Sequence, residues 1–321
     1  MLVDRRDFLE RAAVAVASST LLGCRSWGFK PQGELDIIDC HTHFYDPRRP
    51  EGIAWPGEGS SLYRTVLPKD LCAQPSPRPV TGTVIVEASP RLEDNQWLLD
   101  IAKNDPFVVG IVGHLKPGGE GYAEHVERFA KNPLFRGIRN GQATVDNALK
   151  DAAIVDAIRL LGEHDLAYDV NGSITMPLAV ARLAEKLPEQ RIVINHIGNV
   201  TIEGQKLDEG WLAGMRAAAM HPNVYCKVSA LVEGAARATQ PIPRNIDHYK
   251  PTLDAVWEAF GEDHLIYGSN WPVSETAADY ATVLQIVLDY VEPLGRNAAE
   301  KFFSLNAKRA YRWVEREGRV T

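Results

Sequence analysis

Short apolar segments alternate with longer amphipathic segments along most of this chain. The apolar segments are rich in β-branched residues and predict buried strands, and most are followed by a pattern of helical period. The clearest helix covers residues 151–163, where Asp151 is a favourable N-cap. The predicted strands lie at residues 35–43, 83–87, 107–112, 135–139, 166–171, 191–196, 223–229 and 264–270.

The alternation of these elements predicts the fold. Strands that are apolar on both faces and alternate with helices are typical of a parallel sheet covered by helices. Eight of them close most simply into a (β/α)8 TIM barrel, an α/β fold that forms one domain over residues 35–321. An open doubly wound sheet is the alternative, but no glycine-rich phosphate turn follows the first strand.

The N-terminal segment has a different character. Arg5 and Arg6 precede a stretch of small apolar residues and the sequence LLGC, which ends at Cys24. This order is typical of a secretory signal, here of the twin-arginine type with a lipidation site at Cys24. We therefore expect a signal segment at 1–24 and a tether at 25–34. The protein would be exported by the twin-arginine route and be periplasmic or a membrane-anchored lipoprotein.

Composition narrows the range of partners. The net charge of −7 gives no electrostatic support for binding nucleic acid. Beyond the signal segment no apolar run is long enough to span a bilayer, so membrane contact is expected only through the lipid anchor. The odd number of remaining cysteines, Cys40, Cys72 and Cys226, argues against a disulfide framework. A small molecule is the expected partner.

Two histidines end the first predicted strand. Residues two apart in a strand point to the same side, so His41 and His43 should project together. Neutral imidazoles offer nitrogen lone pairs that suit a zinc-like divalent ion.

In a TIM barrel the active site lies at the carboxyl ends of the strands. His196 ends the sixth strand and would complete a three-histidine metal site with His41 and His43.

Glu87 is expected to act as a further ligand or as a base, or simply to pair with Arg139 or Lys227. Arg139 and Lys227 would bind an anionic substrate, although Lys227 could instead be a structural ion-pair partner. The other polar strand ends are Asn171 and Asn270, and Trp271 follows as a pocket wall. Asn171 and Trp271 are expected to contact the substrate. The long segment 44–78 should cover this site.

Several motifs resemble one known family. DCHTH at 39–43, INHIG at 194–198 and YGSNWPVS at 267–274 are similar to the amidohydrolase-related (amidohydrolase 2) TIM barrels. EASPRLEDNQWLLDIA, FRGIRNG and NVYCKVSAL resemble its branch of sugar-lactone hydrolases and pyrone dicarboxylate lactonase. The resemblance implies a hydrolase of a small carboxylic derivative, such as a sugar-acid lactone. It also implies that His41, His43 and His196 are site residues.

The chain departs from the family pattern at the eighth strand. The family usually has Asp where this chain has Asn270, and an amide cannot accept a proton from water. Glu87 is therefore the expected base, with Asn270 beside it in the catalytic set, and a divalent metal is an optional cofactor. Two alternatives stay open: a metal-dependent decarboxylase or lyase of the same superfamily, and a catalytically silent binding protein.

Overall fold

The computed structural model describes residues 34–319, so the expected signal segment and nearly all of the tether lie outside the described residues. One sheet contains eight parallel strands in sequential order. This arrangement confirms the predicted barrel. The strands are β1 (Ile38–Thr42), β2 (Gly82–Val86), β3 (Val108–Gly113), β4 (Phe135–Gly141), β5 (Ala167–Asn171), β6 (Ile192–Ile194), β7 (Val224–Val228) and β8 (Leu265–Tyr267).

Helices follow the strands and cover the outside of the barrel. Within residues 34–319, no helix is long and apolar enough to cross a membrane. The α-helices are α1 (Pro68–Cys72), α2 (Leu92–Ala102), α3 (Tyr122–Ala130), α4 (Gln142–Ala148), α5 (Ala152–Glu163), α6 (Met176–Lys186), α7 (Glu209–Ala219), α8 (Leu231–Ala236), α9 (Ile246–Phe260), α10 (Tyr280–Val291), α11 (Arg296–Glu300) and α12 (Asn306–Tyr311). As predicted, Asp151 caps α5 by accepting a hydrogen bond from Ala153 N.

Main-chain hydrogen bonds between β1 and the segment after β8 close the barrel. Asn270 N donates to His41 O at 2.9 Å, and His43 N donates to Trp271 O at 2.9 Å. The histidine pair and the Asn270 turn are therefore fastened to each other through the backbone. The first strand and the segment after the last strand, which are more than 220 residues apart in sequence, together form one wall of the mouth.

The apolar side chains of the strands belong to two separate clusters. The larger cluster packs strand residues such as Ile85, Ile138 and Val170 against the helices. The smaller one contains Ile38, Val84, Val193 and their neighbours from other strands, together with Tyr311 and Trp313 from the C-terminal segment. This smaller, inner cluster fills the inside of the barrel below the mouth with packed side chains, as is usual for the fold.

A one-residue irregularity in β1 decides where the histidines point. Asp39 pairs with Thr83 and Thr42 pairs with Ile85, so β1 carries one more residue than β2 over this stretch. Cys40, which strict alternation would place on the side opposite the histidines, belongs to the inner cluster. The bulge re-aims the strand end and directs His41 and His43 toward the mouth.

Candidate active site

A cavity of about 540 Å³ opens at the carboxyl ends of the strands. Its volume lies in the range of small-molecule sites. Six of the residues that the sequence analysis proposed for the site line it: His43, Glu87, Arg139, Asn171, His196 and Asn270. The other polar or aromatic lining residues are Trp55, Ser89, His114, Asn140, Asn199, Glu233 and Arg237.

Tight left-handed turns present two of these residues. β6 and β8 stop at Ile194 and Tyr267, earlier than predicted, and the site residues follow in turns. His196 has φ 57° and Asn270 has φ 63°, conformations that non-glycine residues seldom adopt. Gly198, with φ 71°, has no room for a side chain, because a Cβ there would lie 2.8 Å from Pro177 Cγ. This strained backbone is typical of functional sites.

The three histidines converge as predicted. The ring centroids of His41 and His196 are 4.2 Å apart, and those of His41 and His43 are 5.0 Å apart. His41 is fully buried, whereas His43 and His196 reach the cavity. Burial lowers the pKa of all three, that of His43 to about 3 with the Arg139 charge as the second cause. The imidazoles are therefore neutral at neutral pH.

The Nδ1 atom of each ring faces a group of the protein. His43 Nδ1 donates to Val86 O at 2.9 Å, and His196 Nδ1 lies 2.9 Å from Ser229 Oγ. His41 Nδ1 is 3.5 Å from Lys227 Nζ. His41 Nε2 is buried and has no hydrogen-bond partner among the described residues.

This donor set fits a divalent ion in its chemistry. His43 and His196 are held through Nδ1, which is the usual arrangement around a metal that binds Nε2. The Lys227 ammonium group can only donate, so His41 Nδ1 accepts and the His41 proton lies on Nε2, from which it would have to leave before His41 could bind an ion. His41, His43 and His196 are the residues that would hold the ion. When bound, such an ion polarises a carbonyl or lowers the pKa of a water.

A ready-made three-histidine metal site is nevertheless not formed. Within residues 34–319, no group of three or more His, Cys, Asp or Glu side chains is arranged to hold a metal ion. Two features of the geometry act against a shared ion. The rings of His41 and His43 meet edge to face at 77°, and the Lys227 ammonium group lies beside His41. The histidines converge, but they would have to rearrange to share an ion.

Lys227 is not a cavity residue. It is completely buried, and Nζ donates to Asp169 Oδ2 at 2.7 Å. Tyr311 OH donates to the same carboxylate, with both oxygens at 3.1 Å. Burial lowers the pKa of Lys227, and the Asp169 charge opposes that effect. The predicted substrate contact by Lys227 is therefore replaced by the alternative considered for it, a structural ion pair beneath the histidines.

Glu87 and Arg139 form an ion pair that lines the cavity. Arg139 Nε donates to Glu87 Oε1 at 2.9 Å, and Arg139 Nη2 donates to the main-chain oxygen of Glu87 at 2.7 Å. The third guanidinium nitrogen, Nη1, takes no part in this pairing. Glu87 thus orients Arg139 toward the cavity. Pairing with Arg139 is one of the alternative roles that the sequence analysis considered for Glu87. Its predicted role as a base stays a prediction.

Asn270 has a carboxylate partner that the sequence analysis missed. Asn270 Nδ2 donates to Glu233 Oε1 at 2.8 Å, and Asn270 also hydrogen-bonds to His43. Glu233 Oε2 is buried without a partner among the described residues. Burial raises the pKa of Glu233 to about 7. A weak sequence signal existed, because Glu233 stands four residues after Ser229, the polar residue that directly follows β7.

The two remaining predicted residues differ in position. Asn171 lines the cavity, and its Oδ1 accepts a hydrogen bond from Asn199 Nδ2 at 2.7 Å. Trp271 does not line it, because its indole is buried against Phe44 and donates to Glu275 Oε1 at 2.7 Å. Trp271 therefore packs behind the cavity wall and does not make the substrate contact that was expected of it.

The covering segment contributes one aromatic wall. Trp55 lies over His43, with ring centroids 5.9 Å apart, and its side chain is partly exposed to the cavity. This agrees with the prediction that segment 44–78 covers the site.

Comparison with known proteins places this geometry in a family. The family model described as amidohydrolase matches residues 38–313 of the chain. The chain belongs to the amidohydrolase family. This confirms the family that the motifs indicated, and the match covers every strand of the barrel.

Two relatives of this amidohydrolase are similar over nearly their whole length. An L-fucono-1,5-lactonase from Burkholderia ambifaria is 33% identical over 281 residues, which cover 86% of this chain and 95% of the relative. A crystal structure of an amidohydrolase from Burkholderia multivorans with bound zinc has a TM-score of 0.76 at 27% identity and covers 87% of this chain and all of its own.

A third, more distant protein shares the fold. A Pseudomonas putida protein described as a candidate 2-pyrone-4,6-dicarboxylic acid hydrolase has a TM-score of 0.65 at 18% identity, covering 87% of this chain and 98% of its own. At this identity the similarity concerns the barrel architecture alone.

Proposed function

We propose that this amidohydrolase hydrolyses the lactone of a sugar acid. The observation that carries the proposal is the cavity at the barrel mouth, where an oriented guanidinium, neutral histidines and a buried carboxyl group face one space. The identity to an L-fucono-1,5-lactonase supports the choice of a lactone among carboxylic derivatives. The hydroxyl-rich substrate would suit the amide groups of Asn140, Asn171 and Asn199.

The residues that line the cavity have different roles in the proposed hydrolysis. Water attacks the lactone carbonyl carbon, and negative charge develops on the carbonyl oxygen. Arg139 presents Nη1 to that oxygen, because Glu87 already holds its other two nitrogens. A preorganised cationic donor of this kind stabilises the charge without reorganising during the reaction. His43 and His196 stay neutral, and His196, whose Nδ1 meets Ser229, offers its other nitrogen to the reacting groups.

A panel of sugar-acid lactones tests the function. Five- and six-membered lactones would be incubated with the protein in weak buffer, and acid release would be followed with a pH indicator against an enzyme-free blank. We expect at least one six-membered lactone to be hydrolysed, and Arg139→Ala to lower kcat/KM by about 10²-fold. Arg216→Ala is the matched control, because Arg216 forms an exposed pair with Glu258 far from the cavity. No turnover of any lactone would overturn the proposal.

Whether the three histidines bind a metal ion is tested by a separate measurement. Zinc bound per chain would be measured by elemental analysis after purification without chelator, for wild type and for His43→Ala. If the histidines hold an ion, the variant should lose it, whereas equal zinc content in both proteins would place the ion elsewhere. Chelated wild type in the lactone assay then tells whether hydrolysis needs the ion.

We also propose that the protein acts outside the cytoplasm. The proposal rests on Arg5, Arg6 and the LLGC sequence ending at Cys24. Export by the twin-arginine route and lipidation at Cys24 would hold the barrel at a membrane surface through the tether.

A further inference from the structure

Glu233 is a buried carboxyl group that the roles above leave unused. It is the third residue of α8, the helix that begins three residues after β7 ends. Its Oε1 accepts a hydrogen bond from Asn270, while Oε2 is buried in the cavity wall with no partner among the described residues. Buried polar atoms are nearly always hydrogen-bonded. An unpartnered carboxylate oxygen at a cavity therefore indicates a group that meets a water or a substrate there.

The surroundings of Glu233 suit acid–base work. Burial raises its pKa to about 7, and the hydrogen bond from Asn270 and the charge of Arg237 act in the opposite direction. Tyr249 on α9 is the titratable group facing it from that helix. His196, which is neutral, lines the same cavity as Glu233. A carboxyl group poised near neutral pH is close to the optimum for a general base.

Glu87 is less free to act. Its Oε1 and its main-chain oxygen both accept hydrogen bonds from Arg139. Glu233 carries no comparable cationic partner among the described residues, since Arg237 donates instead to the main-chain oxygens of Asn199 and Val200. Of these two carboxyl groups at the mouth, Glu233 is the one whose carboxylate is not bound by an arginine.

We propose that Glu233 is the general base of the hydrolysis and that Asn270 positions it, an inference that rests on the proposed lactone hydrolysis. Glu233 Oε2 takes a proton from water as the water oxygen bonds to the carbonyl carbon. The carbon–oxygen bond of the ring then breaks, and Glu233 returns the proton to the ring oxygen. One lactone and one water thus give one hydroxy acid. Asn270 cannot take the proton, but its amide holds Oε1 and leaves Oε2 for the water.

The Glu233→Gln variant tests the base. The glutamine side chain keeps an oxygen for Asn270 and cannot accept a proton. We expect kcat/KM to fall by about 10²-fold or more and the decline in rate below about pH 7 to disappear. Glu258→Gln, in the exposed pair with Arg216, should match wild type. Glu233→Asp restores a carboxylate, so it should recover the acid limb at a reduced rate.

The positioning role of Asn270 has a separate readout. Its hydrogen bond favours the ionised form of Glu233. Asn270→Ala should therefore lower kcat and move the acid limb to higher pH, a displacement that a purely structural role would not produce.

The outcomes separate the two proposals. If wild type hydrolyses lactones and Glu233→Gln keeps its rate and its acid limb, the base assignment is wrong and the function stands. The base assignment is also wrong if Glu87→Gln, and not Glu233→Gln, abolishes the limb. If wild type hydrolyses no lactone, the function is wrong and the assignment falls with it.

Discussion

Replacing Glu233 by Gln should remove a pH-dependent destabilisation of the folded protein. The pKa of Glu233 is about 7 in the folded state, because burial penalises its charge, against an ordinary value of 4.5. Between these two values the folded state retains a proton that the unfolded chain has released. The free energy of unfolding therefore falls as pH rises through this window, and it is unaffected by this group well below pH 4.5.

The size of the effect follows from the two values. They differ by about 2.5 (7 − 4.5), and each pKa unit corresponds to about 1.36 kcal/mol. The complete cost is about 3 kcal/mol, and about 2 to 3 kcal/mol of it develops between pH 5 and pH 8. The glutamine variant has no such charge, so its free energy of unfolding should lack this part of the pH dependence.

Urea unfolding of wild type and Glu233→Gln at several pH values from 5 to 8 measures the difference. The quantity of interest is the change with pH in the gap between the two proteins, because a constant offset reports only how well the glutamine amide is accommodated. The variant should gain on wild type by about 2 to 3 kcal/mol as pH rises over this range. A gap that stays constant would refute the buried, weakly acidic carboxyl group on which the base assignment depends. Glu258→Gln serves as the control for a surface carboxylate and should show a constant gap.

Three further changes test other parts of the molecule. Lys227→Met should destabilise the fold by about 3–5 kcal/mol in denaturant unfolding, because it leaves the buried Asp169 carboxylate without its ion partner, and adding Asp169→Asn should restore most of the loss. Trp55→Ala should raise KM for a lactone about fivefold with little change in kcat, since it removes about 1 kcal/mol of aromatic contact; an unchanged KM would exclude Trp55 from substrate binding. Replacing Arg5 and Arg6 by Lys should leave precursor in the cytoplasm on cell fractionation, and normal export would contradict the signal assignment.

The periodicity of the chain was sufficient to predict the barrel. Apolar runs mark buried strands wherever they occur, and alternation with helices leaves few ways to close the sheet. The strand ends then indicate the mouth, which is why His43, Glu87, Arg139, His196 and Asn270 were placed correctly without a structure. These predictions depend on local pattern and on one general rule of the fold.

Depth within the barrel depends on three-dimensional packing. Lys227 and His43 both belong to strand ends, yet Lys227 lies beneath the histidines and binds Asp169. Trp271 follows directly after Asn270, yet it packs behind the wall. The strand pattern tells which side a residue faces, but a bulge or a tight turn changes how far along the barrel axis its side chain reaches.

Pairings across the chain were also beyond the reach of the sequence. Glu233 lies in a helix after its strand has ended, 37 residues from the Asn270 amide that it meets. The amide at position 270 is visible in the sequence, whereas the carboxylate beside it is not. Local pattern therefore determined the fold and the position of the mouth. The tertiary structure decided which carboxyl group is bound by an arginine and which meets an asparagine instead, because that depends on contacts between segments far apart in the chain.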